Sequence, residues 1–185
     1  MEIAVINFDD TYLPMQVAED LSFMTFISPL KNGGEQLLKV NIKHLQNDLL
    51  PNVYNLSFGP LRPNGEGEID DEIKIHHSDV NKVFSTIILF ALTFLNTNKH
   101  TTIGIDGSND GRAYFYHRIF IKNRVYLSGF FVLLGVDWYV RLLRNGEVER
   151  DSDGSPFPKP KPEPFDYNRS TKDLYRYYMF HLLPI

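Results

Sequence analysis

The strongest structural signal in this sequence is a helical repeat of apolar residues between Asp79 and Asn96. Apolar side chains recur at intervals of three and four residues, at Val80, Val83, Phe84, Ile87, Ile88, Ala91, Leu92 and Leu95. This spacing predicts one long helix with a broad buried face, for which Ser78 is a suitable N-cap. So wide an apolar face needs a partner layer, and we expect this helix to be the central core helix, packed on a sheet.

Segments with strand-like composition lie on both sides of this helix. They run over residues 2–8, 21–28, 36–44, 52–58, 69–76, 101–106, 130–136 and 138–143, the last two around a tight turn. A shorter helix is predicted from Arg112 to Phe120. The order predicts an α+β fold with a mainly antiparallel sheet. Since the 185 residues are too few for two ordinary domains, we expect residues 1–150 to form a single domain.

The chain changes character after residue 150. Proline occupies every second position from Pro156 to Pro164, which excludes a helix or a central strand. Residues 151–165 are therefore predicted to be an extended, polyproline-like spacer. The capping-box-like sequence of residues 170–173 precedes an apolar helical face formed by Leu174, Tyr175, Tyr178, Met179 and Leu182. This pattern predicts that residues 166–185 are a C-terminal docking helix.

Composition excludes several classes of function. The chain has no cysteine, so disulfides, thiolate metal sites and a cysteine nucleophile are excluded. A net charge of −4 disfavours an extended nucleic-acid surface. The N-terminus does not resemble a secretory signal, and the longest apolar stretch, Val83 to Leu95, is too short for a membrane span. We therefore expect a cytoplasmic protein without membrane contact.

Two groups of potential metal ligands have unfavourable spacing. Among the acidic residues 66–72, Asp70 and Glu72 would share one face of a strand while Asp71 takes the other. His76 and His77 would likewise point to opposite faces. A Gly-x-Ser-x-Gly motif is also missing, so we assign no catalytic residue, metal or cofactor, and an enzyme is not the favoured expectation.

A glycine-flanked loop before the second helix is the most specific site candidate. Its backbone N–H groups at a helix start, together with Arg112, favour an anion such as phosphate. A basic side chain and a ring nearby could grip phosphate and base. The candidate set is Gly107, Ser108, Asn109, Arg112, Tyr116, Arg118 and Lys82. A simple turn with a surface arginine would explain the same residues, and this alternative stays open.

Three segments together resemble the DUF6934 family of small uncharacterised bacterial proteins. They are VYNLSFG (53–59) with GEIDD (67–71), HSDVNKVFST (77–86) and GSNDGRAYFY (107–116), and the likeness covers about residues 52–121. The family pattern runs N-L-x-F-G, G-x-I-D-D, N-G-D-x-x-K-V-L-A-T and G-S-T-x-x-R-T-R-L-Y. His77-Ser78 replaces Asn-Gly here, Asn109 replaces Thr, and Tyr114 replaces the second Arg. The resemblance implies the same fold and brings no activity.

The order of predicted elements also resembles the acetyltransferase (GNAT) core, in which Tyr116 would lie near the acyl-transfer centre. The pyrophosphate loop of those enzymes, Gln/Arg-x-x-Gly-x-Gly/Ala, is absent, and residues 76–80 take its place. Three functions therefore stay open. The leading one is a binding or interaction protein with a protein partner or self-association, as in a bacterial defence or toxin–antitoxin pair. The others are a GNAT-like transferase with an unusual donor at the Arg112 loop, and a nucleotide or RNA-end binder.

Overall fold

The computed structural model describes residues 3–63, 67–70, 76–107 and 109–184. Across these residues the elements are, in chain order, β1 (Pro14–Val17), β2 (Phe23–Pro29), β3 (Glu35–His44), β4 (Val53–Pro60), α1 (Val80–Thr97), β5 (Thr102–Asp106), α2 (Asp110–Lys122), α3 (Arg124–Leu127), β6 (Phe131–Val140), β7 (Pro158–Pro164) and β8 (Tyr177–Leu182). All these strands belong to one sheet, ordered β1-β2-β3-β4-β5-β8-β6-β7. The predicted α+β fold with a mainly antiparallel sheet is confirmed.

Helix α1 is the central core helix, as predicted. Its apolar face is buried, including Phe84, Ile88, Ala91 and Leu95. The N-cap is Asp79 rather than Ser78, since the Asp79 side chain accepts a hydrogen bond from the Lys82 N–H at 2.9 Å. The length and apolar composition of α1 would also suit a membrane span, but its buried face packs into the core of this fold.

The N-terminal segment is not the strand predicted for residues 2–8. Residues 3–12 instead run along the helices, and their backbone N–H groups donate to side chains there. The accepting side chains are Asn81, Ser85, Thr86, Asn123 and Tyr126. The strand-like composition of this segment was a poor guide because side-chain acceptors replace a neighbouring strand. The predicted strand at residues 69–76 lies largely outside the described residues.

Among the described strands, β4 and β5 are the one parallel pair, and they are joined through α1. Pairing runs from Val53 with Thr102 to Asn55 with Gly104. Beyond this point β4 continues to Pro60 and β5 to Asp106, and among the described residues no further pair joins the two strands. β4 and β5 therefore separate toward their carboxyl ends.

Strand β6 replaces the two short strands predicted around a turn near residue 137. Its ten residues pair with β8 on one side and β7 on the other. Asp137, which lies where the tight turn was predicted, forms an ion pair with Arg169 at 2.7 Å. Gly135 is needed inside the strand because the ring of buried Tyr175 lies where a Cβ would be.

The proline-rich segment is part of the sheet rather than a spacer. Pro158–Pro164 forms the edge strand β7. Phe157 and Phe165 each donate a backbone N–H inward, to Glu149 and Leu133. Because a strand has a period of two, the prolines between them place their ring nitrogens on the outer edge. This edge therefore lacks the N–H donors that an added strand would need.

The predicted C-terminal docking helix at residues 166–185 is wrong. Residues 177–182 form β8, which lies between β5 and β6 near the middle of the sheet. Tyr177, Tyr178, Met179 and Phe180 are all buried. A strand that is buried on both faces has a continuous run of apolar residues. In this segment some apolar residues also recur at intervals of three and four, which is the spacing expected of a helix. Residues 1–150 consequently do not contain the whole sheet.

Candidate functional site

The carboxyl ends of β4 and β5 form the most distinctive part of this molecule. Helix α1 begins at this end, where the Ser78 N–H donates to the Pro29 carbonyl at the end of β2. Phe84 in α1 contacts Phe58 in β4, with ring centroids 5.4 Å apart, and Phe115 in α2 at 5.0 Å. Residues from all three motif segments thus meet here, at the kind of strand end where sheets with parallel strands bind ligands.

The start of α2 is a tightly built turn. The Gly107 N–H donates to the Arg176 carbonyl at 2.9 Å, and a Cβ on Gly107 would lie 3.1 Å from the Tyr178 ring. Asn109 is the N-cap, and its side chain accepts the Arg112 N–H at 2.9 Å. Ser108, also predicted for this site, lies outside the described residues.

Charged side chains of both signs surround this turn. The carboxylate of Asp110 lies 2.6 Å from the Arg176 guanidinium, and it is highly exposed. Asp110 therefore pairs with a basic residue and does not cap the helix. Arg112 is partly buried one turn into α2. The turn thus carries an ion pair between Asp110 and Arg176, with Asp106 exposed at the end of β5 and Arg112 in the first turn of α2.

An apolar cavity lies beneath this turn. It is bounded by β4, β5 and both long helices, with the lining side chains Phe58, Phe84, Ile87, Ile88, Ile105, Tyr116, Ile119 and Phe120. Phe58 and Ile105 line it from the two strands that separate. Tyr116 lies four residues after Arg112 and so shares its side of α2. The predicted residues Gly107, Asn109, Arg112 and Tyr116 are thus brought to one end of the molecule.

Two predicted site residues lie elsewhere. Lys82 forms an ion pair with Asp10 at 2.8 Å and stands over the ring of Tyr12. The hydrogen bond that Lys82 donates to the Asp10 carboxylate raises the pKa of Lys82. Arg118 is exposed and follows Arg112 by six residues, which at about 100° per residue puts it on a different side of α2. Lys82 therefore contacts the N-terminal segment, and Arg118 lies on a side of α2 away from the turn.

Sequence reasoning missed Arg176, because it was assigned to a helix that does not exist. Its position beside Asp110 depends on β8 lying next to β5, with Asp106 opposite Tyr177. No local motif marks such a residue. Only the strand order explains why a side chain near the end of the chain reaches a turn in its middle.

A serine–histidine contact was also not predicted. The Ser28 Oγ lies 2.9 Å from the His77 Nδ1, and burial lowers the pKa of His77. Ser28 is completely buried, so a substrate has no access to its hydroxyl. This contact pairs a buried hydroxyl at the end of β2 with the segment before α1.

The structure describes few of the proposed metal ligands. Glu66, Asp71 and Glu72 lie outside the described residues, and Glu68 is instead near Arg62 at 3.5 Å. In the described part of the chain, no group of three histidine or acidic side chains is arranged to hold a metal ion.

His117 on α2 is a buried titratable group. Within the described residues, its Nδ1 has no hydrogen-bond partner, and its ring packs against Phe165. Burial lowers the pKa of His117, and the positive charges of Arg118 and Arg169 act in the same direction, while Asp166 opposes them. The folded state therefore favours the neutral imidazole.

We expect acidification to destabilise the protein in part through His117. Because its pKa is lower in the folded state, the stabilisation is complete above the usual value of 6.5 and is lost as the pH falls through the folded pKa. Melting temperatures between about pH 7 and 5 should fall less steeply for His117→Leu than for the parent. His100→Gln, at an exposed position, is the control. An unchanged slope in His117→Leu would contradict this role.

Comparison with known proteins gives a family but no activity. No curated protein and no solved structure matches this chain. The model of a family of unknown function, DUF6934, matches residues 9–148, which is more than half of the sequence. The match includes β1 to β6 and the turn at the start of α2, and it ends before β7 and β8. The chain therefore belongs to the DUF6934 family.

Proposed function

We propose that this protein binds a small anionic ligand, such as a nucleotide, between the carboxyl ends of β4 and β5. One observation carries the proposal: the two parallel strands separate after Asn55 and Gly104, at the end where α1 and α2 begin. A break of this kind creates a crevice that a continuous hydrogen-bonded sheet would close. The family motifs converge on this crevice from three parts of the chain.

The crevice has an apolar part and a charged part. Phe58, Ile105 and Tyr116 line the cavity between the separating strands. The cavity has room for about one water molecule, so a base or an acyl chain would have to move these side chains apart to contact them. Arg112 and Arg176 lie near the start of α2, where the helix dipole also favours negative charge. A ligand with an apolar body and a phosphate would use both parts.

The carboxylates limit which anions fit. Asp110 already pairs with Arg176, so an incoming phosphate would compete with it for that guanidinium. Asp110 is highly exposed, and its exchange for a bound phosphate would cost little because exposed ion pairs are weak. Arg112 lies in the first turn of α2, and its contribution to binding is tested by substitution.

A GNAT-like acyltransferase is the second candidate. The parallel strands joined through α1, with Tyr116 on the wall of the opening, favour it. The start of α1 opposes the usual placement of a CoA pyrophosphate, because the Asp79 carboxylate occupies it and accepts the Lys82 N–H. An acyl donor would therefore have to place its phosphates at the start of α2 instead.

A protein partner is compatible with this ligand site. In the bacterial defence or toxin–antitoxin setting considered above, the chain would act as an interaction module as well as a ligand sensor. The exposed apolar side chains at the two ends of the sheet support a role in protein contacts. Co-purification with the products of neighbouring genes is the direct check on that setting.

Arg112→Ala should strongly reduce ligand-induced stabilisation. We would screen inorganic phosphate, adenine and guanine nucleotides, and acetyl-CoA by thermal shift, and expect at least one to raise the melting temperature. A charge-assisted hydrogen bond contributes about 1.5–3 kcal/mol, so the loss of the guanidinium should weaken binding about ten- to a hundredfold. Each variant is compared with its own ligand-free melting temperature.

Arg118→Ala is the matched control, because it removes the same charge from another side of α2. It should keep the full shift. If no compound shifts the parent, or if the two variants respond alike, the proposed site is wrong. A shift with acetyl-CoA but with no nucleotide would favour the acyltransferase, and acyl transfer to an amine panel would then be measured.

A further inference from the structure

The face of the sheet that points away from the helices carries a strip of polar side chains. The core side chains of β3 alternate along the strand and are Leu38, Val40 and Ile42. The residues between them therefore point to the opposite face. Pairing with β4 places Asn41 opposite Ser57 and Lys43 opposite Asn55 on that face. We call these four residues the polar strip.

The chain covers this face beyond both ends of the polar strip. At one end Leu50, from the loop after β3, packs in a second apolar cluster with Val53 and Tyr177. At the other end the Lys39 ammonium group donates to the Gly67 carbonyl at 3.0 Å. Between these contacts the strip stays accessible to solvent, since its lysine is exposed and its Asn55 and Ser57 side chains are only partly buried.

Asn41 is the unusual member of the polar strip. Its side chain is only 8% exposed, and among the described residues it has no hydrogen-bond partner. Its amide atoms are nevertheless not fully enclosed, so a ligand can reach them from the open face. Polar side chains this deeply buried are usually hydrogen-bonded, and the exceptions often serve a function. Asn41 therefore points to a ligand that supplies the missing hydrogen bonds.

Tyr177 orients the amide of the neighbouring strip residue Asn55. Its hydroxyl donates to the Asn55 Oδ1 at 3.2 Å, and its side chain lies over Gly104, where a Cβ would collide with it. Burial raises the pKa of Tyr177, so the hydroxyl keeps its proton for this bond. Because the amide oxygen is engaged, the Asn55 Nδ2 is left to offer its two N–H donors to a ligand.

The polar strip adjoins the crevice between β4 and β5. Asn55 and Gly104 form the last pair of these strands, and Ser57 lies two residues farther along β4. Asp106 lies two residues beyond Gly104 and is exposed on the same face. Asn41 on β3 is two strands from β5, which is a span of roughly 10 Å where strands are paired. The strip is therefore close to the start of α2, which directly follows β5.

Taking the anionic ligand site as given, we propose that the polar strip binds the nucleobase of a nucleotide whose phosphate lies at the start of α2. A base edge presents hydrogen-bond donors and acceptors side by side, and an asparagine amide can bond to both. Asn41 supplies a donor and an acceptor, Asn55 supplies donors, and Ser57 supplies a hydroxyl. A base in the apolar cavity would have to move side chains apart, whereas these polar groups are already within reach of solvent.

The test compares nucleotides with a ligand that has the phosphate but no base. Isothermal titration would measure binding of AMP, GMP, CMP, UMP and ribose 5-phosphate. The parent should bind at least one nucleotide about tenfold more tightly than ribose 5-phosphate. Asn41→Leu should lower the affinity for that nucleotide to the affinity for ribose 5-phosphate. Its melting temperature without ligand should not fall, because the amide makes no hydrogen bond within the described part of the chain.

Two further variants on this face complete the comparison. Ser57→Ala is a smaller change in the polar strip and should reduce the preference for the nucleotide about threefold. Thr102→Val is the control, since Thr102 lies on the same face but opposite Val53, where β4 and β5 are still paired. It should keep the full preference.

The outcomes separate the base from the phosphate. Arg112→Ala should weaken ribose 5-phosphate and nucleotide alike, because it acts on the phosphate. If the parent binds ribose 5-phosphate as tightly as every nucleotide, or if the preference survives both Asn41→Leu and Ser57→Ala, base binding at the polar strip is wrong and the anionic site remains. If the parent binds none of these compounds, both are wrong.

Discussion

A chain that ends at Arg150 should fail to fold into a soluble protein, although it contains all of the family-matched region. β5 and β6 are not neighbours in the sheet, because β8 lies between them and pairs with both. Truncation at Arg150 removes both β7 and β8, so β5 loses its partner on one side and β6 loses its partners on both sides. The truncated chain would also expose the apolar surface that β8 covers.

The expected loss is comparable with the stability of a whole domain. The missing segment includes the buried side chains Tyr175, Tyr177, Tyr178, Met179 and Phe180. Burial of one large apolar side chain stabilises a fold by about 1.5–3 kcal/mol, so five contribute on the order of 10 kcal/mol. Natural domains are stable by about 5–15 kcal/mol in total.

Solubility, circular dichroism and a urea titration would test this expectation. A chain that ends at Leu183 is the control, since it keeps all of β8 and the hydrogen bond from the Leu183 N–H to Phe130. The control should unfold cooperatively at a denaturant concentration close to that of the parent. A cooperative urea transition in the chain that ends at Arg150 would show that β8 is dispensable.

Arg169→Met should be the most destabilising single substitution proposed here. The guanidinium contacts both oxygens of Asp137, at 2.7 and 3.0 Å, and lies 3.3 Å from Glu163. It also stacks over the Tyr175 ring at 3.9 Å. These contacts join β6, β7 and the segment that leads into β8. Methionine keeps much of the stem volume but leaves two carboxylates without their shared cation.

We expect Arg169→Met to lower the free energy of unfolding by about 2–4 kcal/mol. This loss is smaller than for fully buried ion pairs, because Asp137 and Glu163 keep partial contact with water. Urea denaturation of Arg169→Met, Asp137→Asn and the double variant would measure it. The double variant should lose less than the sum of the two single losses, since removal of one carboxylate relieves the repulsion. Strict additivity would mean that Arg169 and Asp137 do not interact in solution.

Local periodicity was sufficient to predict the long helix but not the C-terminal strand. In α1, one side of the helix is buried, and its apolar residues repeat as that geometry requires. In β8, neighbouring side chains on both faces are buried, so Tyr177 through Phe180 show no alternation. The spacing of apolar residues in a segment indicates whether one face or both faces of the element are buried. When both faces are buried, the spacing does not distinguish a strand from a helix.

The alternating prolines correctly excluded a helix or a central strand. The prediction that they form a spacer outside the sheet was wrong. Missing N–H groups do exclude a central strand, and the structure has these residues at an edge. The period of two from Pro156 to Pro164 equals the period of a strand, and this was the available signal for an edge. The N-terminal segment differs, because its acceptors are side chains distant in sequence that no local pattern reveals.

The structure brings part of the predicted residue set together, and binding of an anion there stays a prediction. Gly107, Asn109 and Arg112 lie together because they are neighbours in sequence, and Tyr116 follows one helical turn later. Lys82 was grouped with them on charge alone, and the structure pairs it with Asp10 instead. Arg176 could not be placed without the strand order. Residues that are close in sequence can therefore be grouped from the sequence alone, whereas residues that distant segments bring to the same place can be identified only from the fold.

The position of β8 also sets the order of events while the protein is made. The strand beside β5 is synthesised well after β5 itself, since the stretch from Asp106 to Leu182 takes on the order of 4–15 s at about 5–20 residues per second. During that interval β5 lacks its later partner β8, and an unpaired strand edge is a hazard for association between nascent chains. Newly made copies should therefore be most prone to associate before β8 has been synthesised.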